Sequence, residues 1–536
     1  MSSAQFEREL TALPSLLRRN ASLAPDRVSV IYEDGTTWTA KESLEWAHGA
    51  AASLRQLGVR HGDRVALALP SGPSFLRAWW GAALLGAVVV PVNLTYRGEL
   101  LWQLLEPAAP KVLVTDASFV DRLLDRPPAL ADLRVVFDDE LGGPISEDPA
   151  AEVEVHPWHS AVYMLTSGTT GPSKLVDTSQ FGCFLGGDVF FSPWGLGPDD
   201  RFLVDLPLFH AAAFRFVHAS LGVGTSIVVR GRPSLDRYWE VARDAGVTAT
   251  LLVSSMFSRL TAMPVRAAER EHRIRLVGGV PLPMDSEGFR SRFGIAELHT
   301  AWGMTEVPAA IHVHPGIPFR AGSIGVVREG FEVRLVDEHD REVPRGTPGQ
   351  AVVRADAPWT IATEYVGQPV ATAQAWRNGW FHTGDLLRQD EDGYYFFVDR
   401  DKDVVRRRGE NISSFEVEAV LLGHPQIAQV ACVPVRRPDV EDEVKVWVVP
   451  RAGERVAFPE LLEFCVDRLP HFMVPRFFEL AEELPLTPTG KVEKGTLRAT
   501  GNGVRTWDRA AHGYAVTRRG LARDAGAPEA PSAAVT

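Results

Sequence analysis

Residues 64–92, RVALALPSGPSFLRAWWGAALLGAVVVPV, decide the fold class. RVALALP has the length and apolar character of a strand, SFLRAWWGAALLG is long enough for a helix, and AVVVPV supplies the next strand. Ser71 to Ser74 provide turn and helix-start chemistry between the first two. The apolar stretch 78–92 is too short to span a membrane, is interrupted by Gly81 and Gly86, and closes near Pro91. It is therefore expected to be a buried helix running into a strand. The alternation continues outward, with SLEWAHGAAASLRQLG before this unit and ELLWQLLEP and KVLVTD after it. RFLVDLPL, TSIVVRG, TATLLVSS and RIRLVGG repeat the strand theme. Helices alternating with short apolar strands predict βαβ units on a largely parallel sheet, hence an α/β chain.

The 536 residues are 45% hydrophobic and 23% charged, which is ordinary for a globular protein, and the length calls for two or more domains. A net charge of -12 provides no positive field for nucleic acid or anionic lipid, so neither a nucleic-acid partner nor a membrane span is expected. An anionic ligand must then meet locally placed donors. Cys183, Cys432 and Cys465 are far apart and form no CxxC pair, which predicts neither a disulfide framework nor a zinc site and suits a reducing cytoplasm. The opening MSSAQFEREL lacks the basic and apolar order of a signal peptide, in keeping with a cytoplasmic location.

Around residues 316–353 the texture changes to short strands and turns (SIGVV, FEVRLVDE, GQAVVRA), as in a small β subdomain. A more compact α+β pattern starts at DRDKDVVRRRGENI and runs through KVWVVP, FPELLEFCVDRL and FFELAEELP. The expected division is a large N-terminal domain over 1–400, a small C-terminal domain over 401–500, and a tail over 501–536 whose last residues, without apolar periodicity, are expected to be disordered.

The chemistry is concentrated in a few motifs. Thr166-Ser-Gly-Thr-Thr-Gly-Pro-Ser-Lys174 follows the apolar AVYML. A strand followed by small hydroxyl and glycine residues makes a loop whose N–H groups and hydroxyls can surround phosphate oxygens, with Lys174 adding charge. On composition alone it fits a solvated Gly/Ser turn equally well. Downstream come Pro207-Leu-Phe-His-Ala211, Gly278-Gly-Val-Pro-Leu282, Trp302-Gly-Met-Thr-Glu306, His382-Thr-Gly-Asp385 with Arg400, and Pro485-Leu-Thr-Pro-Thr-Gly-Lys-Val-Glu-Lys494.

In this order, across roughly residues 10 to 500, the motifs resemble the acyl-adenylate-forming superfamily of acyl-CoA synthetases, luciferases and peptide-synthetase adenylation domains. Arg407-Arg-Gly-Glu-Asn-Ile-Ser413 and the tail TWDRA look most like the carnitine, crotonobetaine and medium-chain CoA ligases. The resemblance implies a large domain of stacked mixed and parallel sheets with a small β subdomain, and a small, mobile α+β C-terminal domain. It implies ATP, Mg2+ and coenzyme A as cofactor and co-substrates, and a small carboxylic acid as substrate.

By the same resemblance, Thr166, Ser167, Gly168, Thr169, Thr170, Gly171 and Lys174 hold phosphates, and Gly279 and Val280 lie beside adenine. Trp302, Gly303, Met304 and Thr305 line the nucleotide, while Glu306 is the magnesium ligand. Asp385 and Arg400 hold the ribose; a carboxylate suits hydroxyl donors because it only accepts. Lys491 is the adenylation lysine, Lys402 the hinge, and Gly409, Glu410 and Asn411 face the coenzyme A half-reaction. His210 is either a gate to the carboxylate or thiol or a hydrogen-bonded core histidine, and Lys494 is expected to be a solvated side chain. The candidate acid-pocket segments are 209–214, 251–257 and 299–302.

The implied reaction makes acyl-AMP with release of pyrophosphate, then a coenzyme A thioester. An adenylating enzyme that hands its acyl-AMP to a carrier-protein thiol or an amine would share the first half. A silent nucleotide-binding protein has no physical need to keep Glu306, Asp385, Arg400 and Lys491 together. A monomer or homodimer is expected. Three positions depart from the family pattern: Leu175 follows the loop lysine where glycine is common, Ser179 stands near a common histidine, and Trp302 replaces the commoner tyrosine, keeping a stacking face without the phenol.

Overall fold

The computed structural model describes residues 10–523 apart from 97, 124–125, 167–173, 232–233, 284, 401–404, 408–409, 413, 438–439, 487–491 and 518–519. Its first half is built on two large sheets. One has six strands in the order Arg134–Phe137, Val112–Thr115, Arg64–Ala68, Val88–Pro91, Ser160–Leu165, Leu175–Ser179. All its neighbours are parallel except the last pair. The other has seven, in the order Glu297–His299, Leu276–Val280, Ala249–Val253, Arg201–Val204, Ser226–Val229, Val28–Tyr32, Thr37–Thr39, again parallel up to an antiparallel edge. Strands buried on both faces read as continuous apolar runs, and Val88–Pro91 is buried at every position.

The stretch 64–92 folds as expected, into strand Arg64–Ala68, helix Pro73–Leu84 and strand Val88–Pro91. Proline sits in the helix's first turn, where no intrahelical N–H is needed. Trp79 and Trp80 are 2% and 0% exposed. The partner helix Ala40–Gln56 starts on a capping box in which the Thr39 hydroxyl accepts from the Glu42 N–H and the Glu42 carboxylate accepts from the Thr39 N–H. The two helices touch at Gly81, where a Cβ would come 2.7 Å from Ala50 Cβ and 2.8 Å from Ala51 N, so only glycine permits this approach. Val30, Val204 and Ile227 of one sheet and Val65, Val89 and Val162 of the other share a core with Leu16, Ala50, Trp80 and Phe214 of the helices. Helices thus join the two sheets through one apolar interior. Among the described residues no helix is long and apolar enough to cross a membrane.

A smaller antiparallel sheet follows, in the order Phe331–Val336, Gly349–Ala355, Phe381–Gln389, Tyr395–Arg400. The C-terminal part is α+β. Strands Ile427–Arg437, Val440–Pro450, Phe477–Leu480 and Trp507–Asp508 pack with helices Ser414–Leu422 and Phe458–Val466 around Val417, Val446, Leu461 and Phe478. The described residues of 501–523 are tied to this core. Trp507, Tyr514 and Val516 are buried in it, and the Lys445 ammonium, 2.8 Å from Glu479 Oε2, also donates to Gly501 O. Residues 524–536, expected from composition to be disordered, lie outside the described residues.

Candidate active site

The site gathers where parallel strands end, as ligand crevices of open α/β sheets do. Strand Arg201–Val204 leads to the Pro207–Ala211 segment, Ala249–Val253 leads into the helix Ser254–Ala262, Leu276–Val280 ends on Gly279 and Val280, and Glu297–His299 leads to Trp302. Leu252 and Val253 pair in register with Gly279 and Val280. Gly279 has no room for a side chain, since a Cβ would come 2.6 Å from Leu282 and 2.9 Å from Phe257. Val280 is 39% exposed, so backbone and a small side chain form the surface there.

The phosphate-loop candidate is a hairpin between strands Ser160–Leu165 and Leu175–Ser179. Its base is closed by Thr166 N–H to Lys174 O at 2.9 Å and by Lys174 N–H to the Thr166 hydroxyl at 3.1 Å. Ser167, Gly168, Thr169, Thr170 and Gly171 lie outside the described residues. Ser179, one of the departures, caps helix Gln180–Asp188 by accepting from Gly182 N–H and donates to Trp359 O at 2.6 Å.

Residues 362–366 run along this hairpin, with Thr363 N–H bonding Asp177 O, Asp177 N–H bonding Glu364 O, and Val366 N–H bonding Leu175 O. That pairing carries Tyr365 into the site. The Lys174 ammonium lies 4.2 Å from the centre of the Tyr365 ring, and the Tyr365 hydroxyl donates to Glu306 Oε1 at 2.8 Å. Burial and the Glu306 charge push the phenol upward, so it keeps its proton at neutral pH. Glu306 is 5% exposed, and its carbonyl accepts from Ala362 N–H.

Four residues earlier, the Trp302 indole N–H donates to Asp385 Oδ2 at 2.9 Å, with both side chains 5% exposed. The substitution of tryptophan for tyrosine therefore does more than keep a stacking face: it directs a donor at the candidate ribose carboxylate. Asp385 and Arg400 sit directly opposite one another in the antiparallel pair of strands Phe381–Gln389 and Tyr395–Arg400, which explains why two distant sequence positions converge. Gly303 is packed so that a Cβ would come 2.9 Å from Ala309 Cα and from Val307 O.

His210 is half-buried at the start of helix Ala211–Val223, where its Nδ1 accepts from Ala212 N–H at 3.3 Å, putting the ring proton on Nε2. Behind the candidate acid pocket the space is filled by aromatics. A Cβ on Gly278 would come 2.5 Å from Phe190, which packs against Phe202, Phe216 and His299. Burial depresses His299 to about 3, leaving it neutral.

Lys491, Lys402 and Gly409 lie outside the described residues. Glu410 and Asn411 belong to strand Glu410–Ile412, opposite Val405–Arg407. Lys494 is not solvated as expected: its ammonium is 2.8 Å from Glu418 Oε1 and bonds the Ser414 hydroxyl. A helix start at Lys494 aims it inward at the helix Ser414–Leu422, which spacing alone does not reveal. Two other residues of the site escape sequence reasoning. Tyr365 has no local signature; Arg215, whose guanidinium donates to Met304 O and Thr305 O, is signalled only by being a charge inside an apolar helix.

Among the described residues no group of three His, Cys, Asp or Glu could hold a metal ion. Magnesium needs none, because it is commonly bound by one or two carboxylates together with substrate phosphates, and a buried Glu306, joined by the Tyr365 hydroxyl to the ring over which Lys174 lies, fits that chemistry.

Residues 17–366 match the AMP-binding enzyme family, and residues 416–491 match the AMP-binding enzyme C-terminal domain. The crotonobetaine/carnitine–CoA ligase of Salmonella typhi is 31% identical over 468 residues, covering 82% of this chain and 89% of that protein. The o-succinylbenzoate CoA synthetase of Bacillus subtilis in complex with its acyl-adenylate intermediate is 26% identical, with a TM-score of 0.81 over 92% of this chain and 99% of that one. The same enzyme with ATP and magnesium ion is also 26% identical, with a TM-score of 0.79 over 90% and 99%. With the large and small domains matched in order, the chain belongs to the AMP-binding enzyme family, the acyl-adenylate-forming superfamily, among its AMP-forming acyl-CoA synthetases.

Proposed function

We infer that the chain activates a small carboxylic acid with ATP and then transfers the acyl group to coenzyme A. One observation carries the reading: Lys174, Tyr365 and Glu306 form a continuous line of contacts from the phosphate-loop hairpin to a buried carboxylate, and Trp302, four residues before Glu306, donates to Asp385.

In the first half-reaction an oxygen of the substrate carboxylate attacks the α-phosphorus, and the bond to pyrophosphate breaks. Thr166 to Lys174 hold the phosphates, and Glu306 holds magnesium, whose charge offsets theirs. Asp385 and Arg400 hold the ribose, Gly279, Val280 and Trp302 to Thr305 bound the base, and Lys491 aligns the reactants and stabilises the charge that develops. The small domain then turns about Lys402, withdrawing Lys491 and bringing Gly409 to Asn411 to the site, with His210 at the thiol entrance. The thiol attacks the acyl carbon and AMP leaves. The aromatic packing behind Gly278 supports a short or medium acid. Three buried free cysteines suit the cytoplasm, where the enzyme acts as a monomer or homodimer.

The test is pyrophosphate release across a panel of carboxylic acids with MgATP, run with and without coenzyme A. One acid that triggers release and then yields its coenzyme A thioester is the expected result. Release without a thioester would move the acceptor to a carrier thiol or an amine, and no release with any acid would refute the reading.

A further inference from the structure

Arg215 lies in the middle of helix Ala211–Val223, whose other buried residues are Ala213, Phe214, Phe216, Val217, His218, Ala219, Ser220 and Leu221. A guanidinium in such a helix is expensive to bury unless its donors are well used. Here Nη1 donates to Met304 O at 3.0 Å and Nη2 to Thr305 O at 2.6 Å. These are the two carbonyls that immediately precede Glu306. The fork geometry of arginine suits a pair of successive acceptors, which a single lysine ammonium cannot span equally well.

The space for this side chain is cut into the neighbouring helix Gln180–Asp188. A Cβ on Gly186 would come 2.7 Å from Arg215 Cδ, and one on Gly187 would come 2.1 Å from Arg215 O. The charge that counters the burial of the guanidinium is the Glu306 carboxylate; the Cys183 thiol beside it, pushed up to about 12 by burial, is neutral. An apolar residue would fill the same volume at lower desolvation cost, so packing by itself does not account for the charge.

We propose that Arg215 is a positioning residue of the adenylation half-reaction: it pins the Met304–Thr305 backbone and so sets where Glu306 presents its carboxylate to magnesium and the ATP phosphates. The assignment rests on the function inferred above. It makes the magnesium and ATP dependence, rather than acid binding, the quantity that Arg215 controls.

The test uses the full chain with Arg215→Met and Arg215→Lys, compared by thermal unfolding, by calorimetric MgATP binding without acid across a magnesium series, and by acid-dependent ATP–pyrophosphate exchange. Partners that orient a metal ligand change metal affinity or activity by about ten- to a hundredfold. R215M is expected to raise the magnesium concentration for half-maximal MgATP binding and exchange by that factor, with the KM for the acid within about twofold. R215K, which keeps the charge but cannot fork across both carbonyls, is expected to show a smaller rise that is still severalfold above wild type. A magnesium dependence unchanged in folded R215M would overturn the proposal, and so would a loss expressed in the acid KM alone. If R215M does not fold, R215K decides: a raised magnesium requirement at an unchanged melting temperature supports the assignment, and a wild-type magnesium curve sinks it. Wild-type protein that binds MgATP but turns over no acid would count against the function while leaving the binding comparison to decide Arg215. Wild-type protein that binds no MgATP at all refutes both.

Discussion

Replacing Tyr365 with phenylalanine removes one oxygen from the site and leaves the ring in place. The lost interaction is the 2.8 Å hydrogen bond to Glu306 Oε1, made inside the protein to a carboxylate that is 5% exposed. Hydrogen bonds to charged groups contribute about 1.5–3 kcal/mol net. At about 1.4 kcal/mol per decade, that is roughly ten- to a hundredfold. Because the aromatic ring remains, the Lys174 ammonium keeps its 4.2 Å contact, and the effect falls on Glu306 alone. On the proposal that Glu306 holds magnesium, Tyr365→Phe should raise the magnesium needed for half-maximal acid-dependent ATP–pyrophosphate exchange and lower kcat/KM for MgATP by that factor. Tyr365→Leu also strips the ring from Lys174 and should lose a further factor worth about 0.5–2 kcal/mol, seen chiefly in ATP affinity. The assay is a magnesium titration of exchange at fixed ATP, with melting temperatures as a control. If folded Y365F shows the wild-type magnesium curve within about twofold, the chain of contacts from Lys174 to Glu306 has no part in binding the nucleotide.

Trp302→Phe keeps a stacking ring but deletes the donor to Asp385 Oδ2, so the KM for ATP should rise by about tenfold with little change in the KM for the acid; an unchanged ATP dependence would disconnect the indole from nucleotide binding. Asp177 is raised to about 6, first by burial and then by repulsion from Glu364, with the Ser160 hydroxyl opposing. A carboxyl raised in the folded state retains a proton there that the unfolded chain has released, so this residue costs stability as pH rises from about 4 to about 6. Asp177→Asn should therefore gain on the wild type across that window by up to about 3 kcal/mol in urea unfolding, and a pH-independent difference would refute the assignment. His218 titrates in the opposite sense. Burial lowers it to about 4, and its Nε2 donates to Thr11 O at 2.8 Å, so the stability it contributes is present above about pH 6.5 and lost as pH falls towards 4. The deficit of His218→Gln relative to wild type should shrink across the same acid range, again by up to about 3 kcal/mol. Gly81→Val forces a branched side chain against Ala50 and Ala51 and should destabilise by about 1–3 kcal/mol or more in the same unfolding experiment, while a neutral result would mean that the helices Ala40–Gln56 and Pro73–Leu84 separate freely.

The sequence by itself determined the α/β class, because period and length are local: RVALALP, SFLRAWWGAALLG and AVVVPV became strand, helix and strand as read. It also singled out the short segments proposed to carry nucleotide chemistry, since the Thr166–Lys174, Trp302–Glu306 and Thr383–Asp385 motifs are contiguous and ordered. What required the tertiary structure were the contacts between motifs. Asp385 faces Arg400 only through strand register, Trp302 reaches Asp385 only because the strand Phe381–Gln389 passes beside it, and Tyr365 joins Lys174 to Glu306 only because residues 362–366 pair along the loop hairpin. Lys494 looked like a solvent charge until the ion pair with Glu418 was in view, and the burial of Trp507, Tyr514 and Val516 is likewise decided by packing. Arg215 marks the limit most clearly: a string records a charge in an apolar helix, but whether that charge is wasted or put to use depends on which carbonyls a distant loop brings within 3.0 Å of it. Local patterns specify the elements because backbone and side-chain periodicity act over a few residues, whereas the site is assembled by packing between elements far apart in the chain.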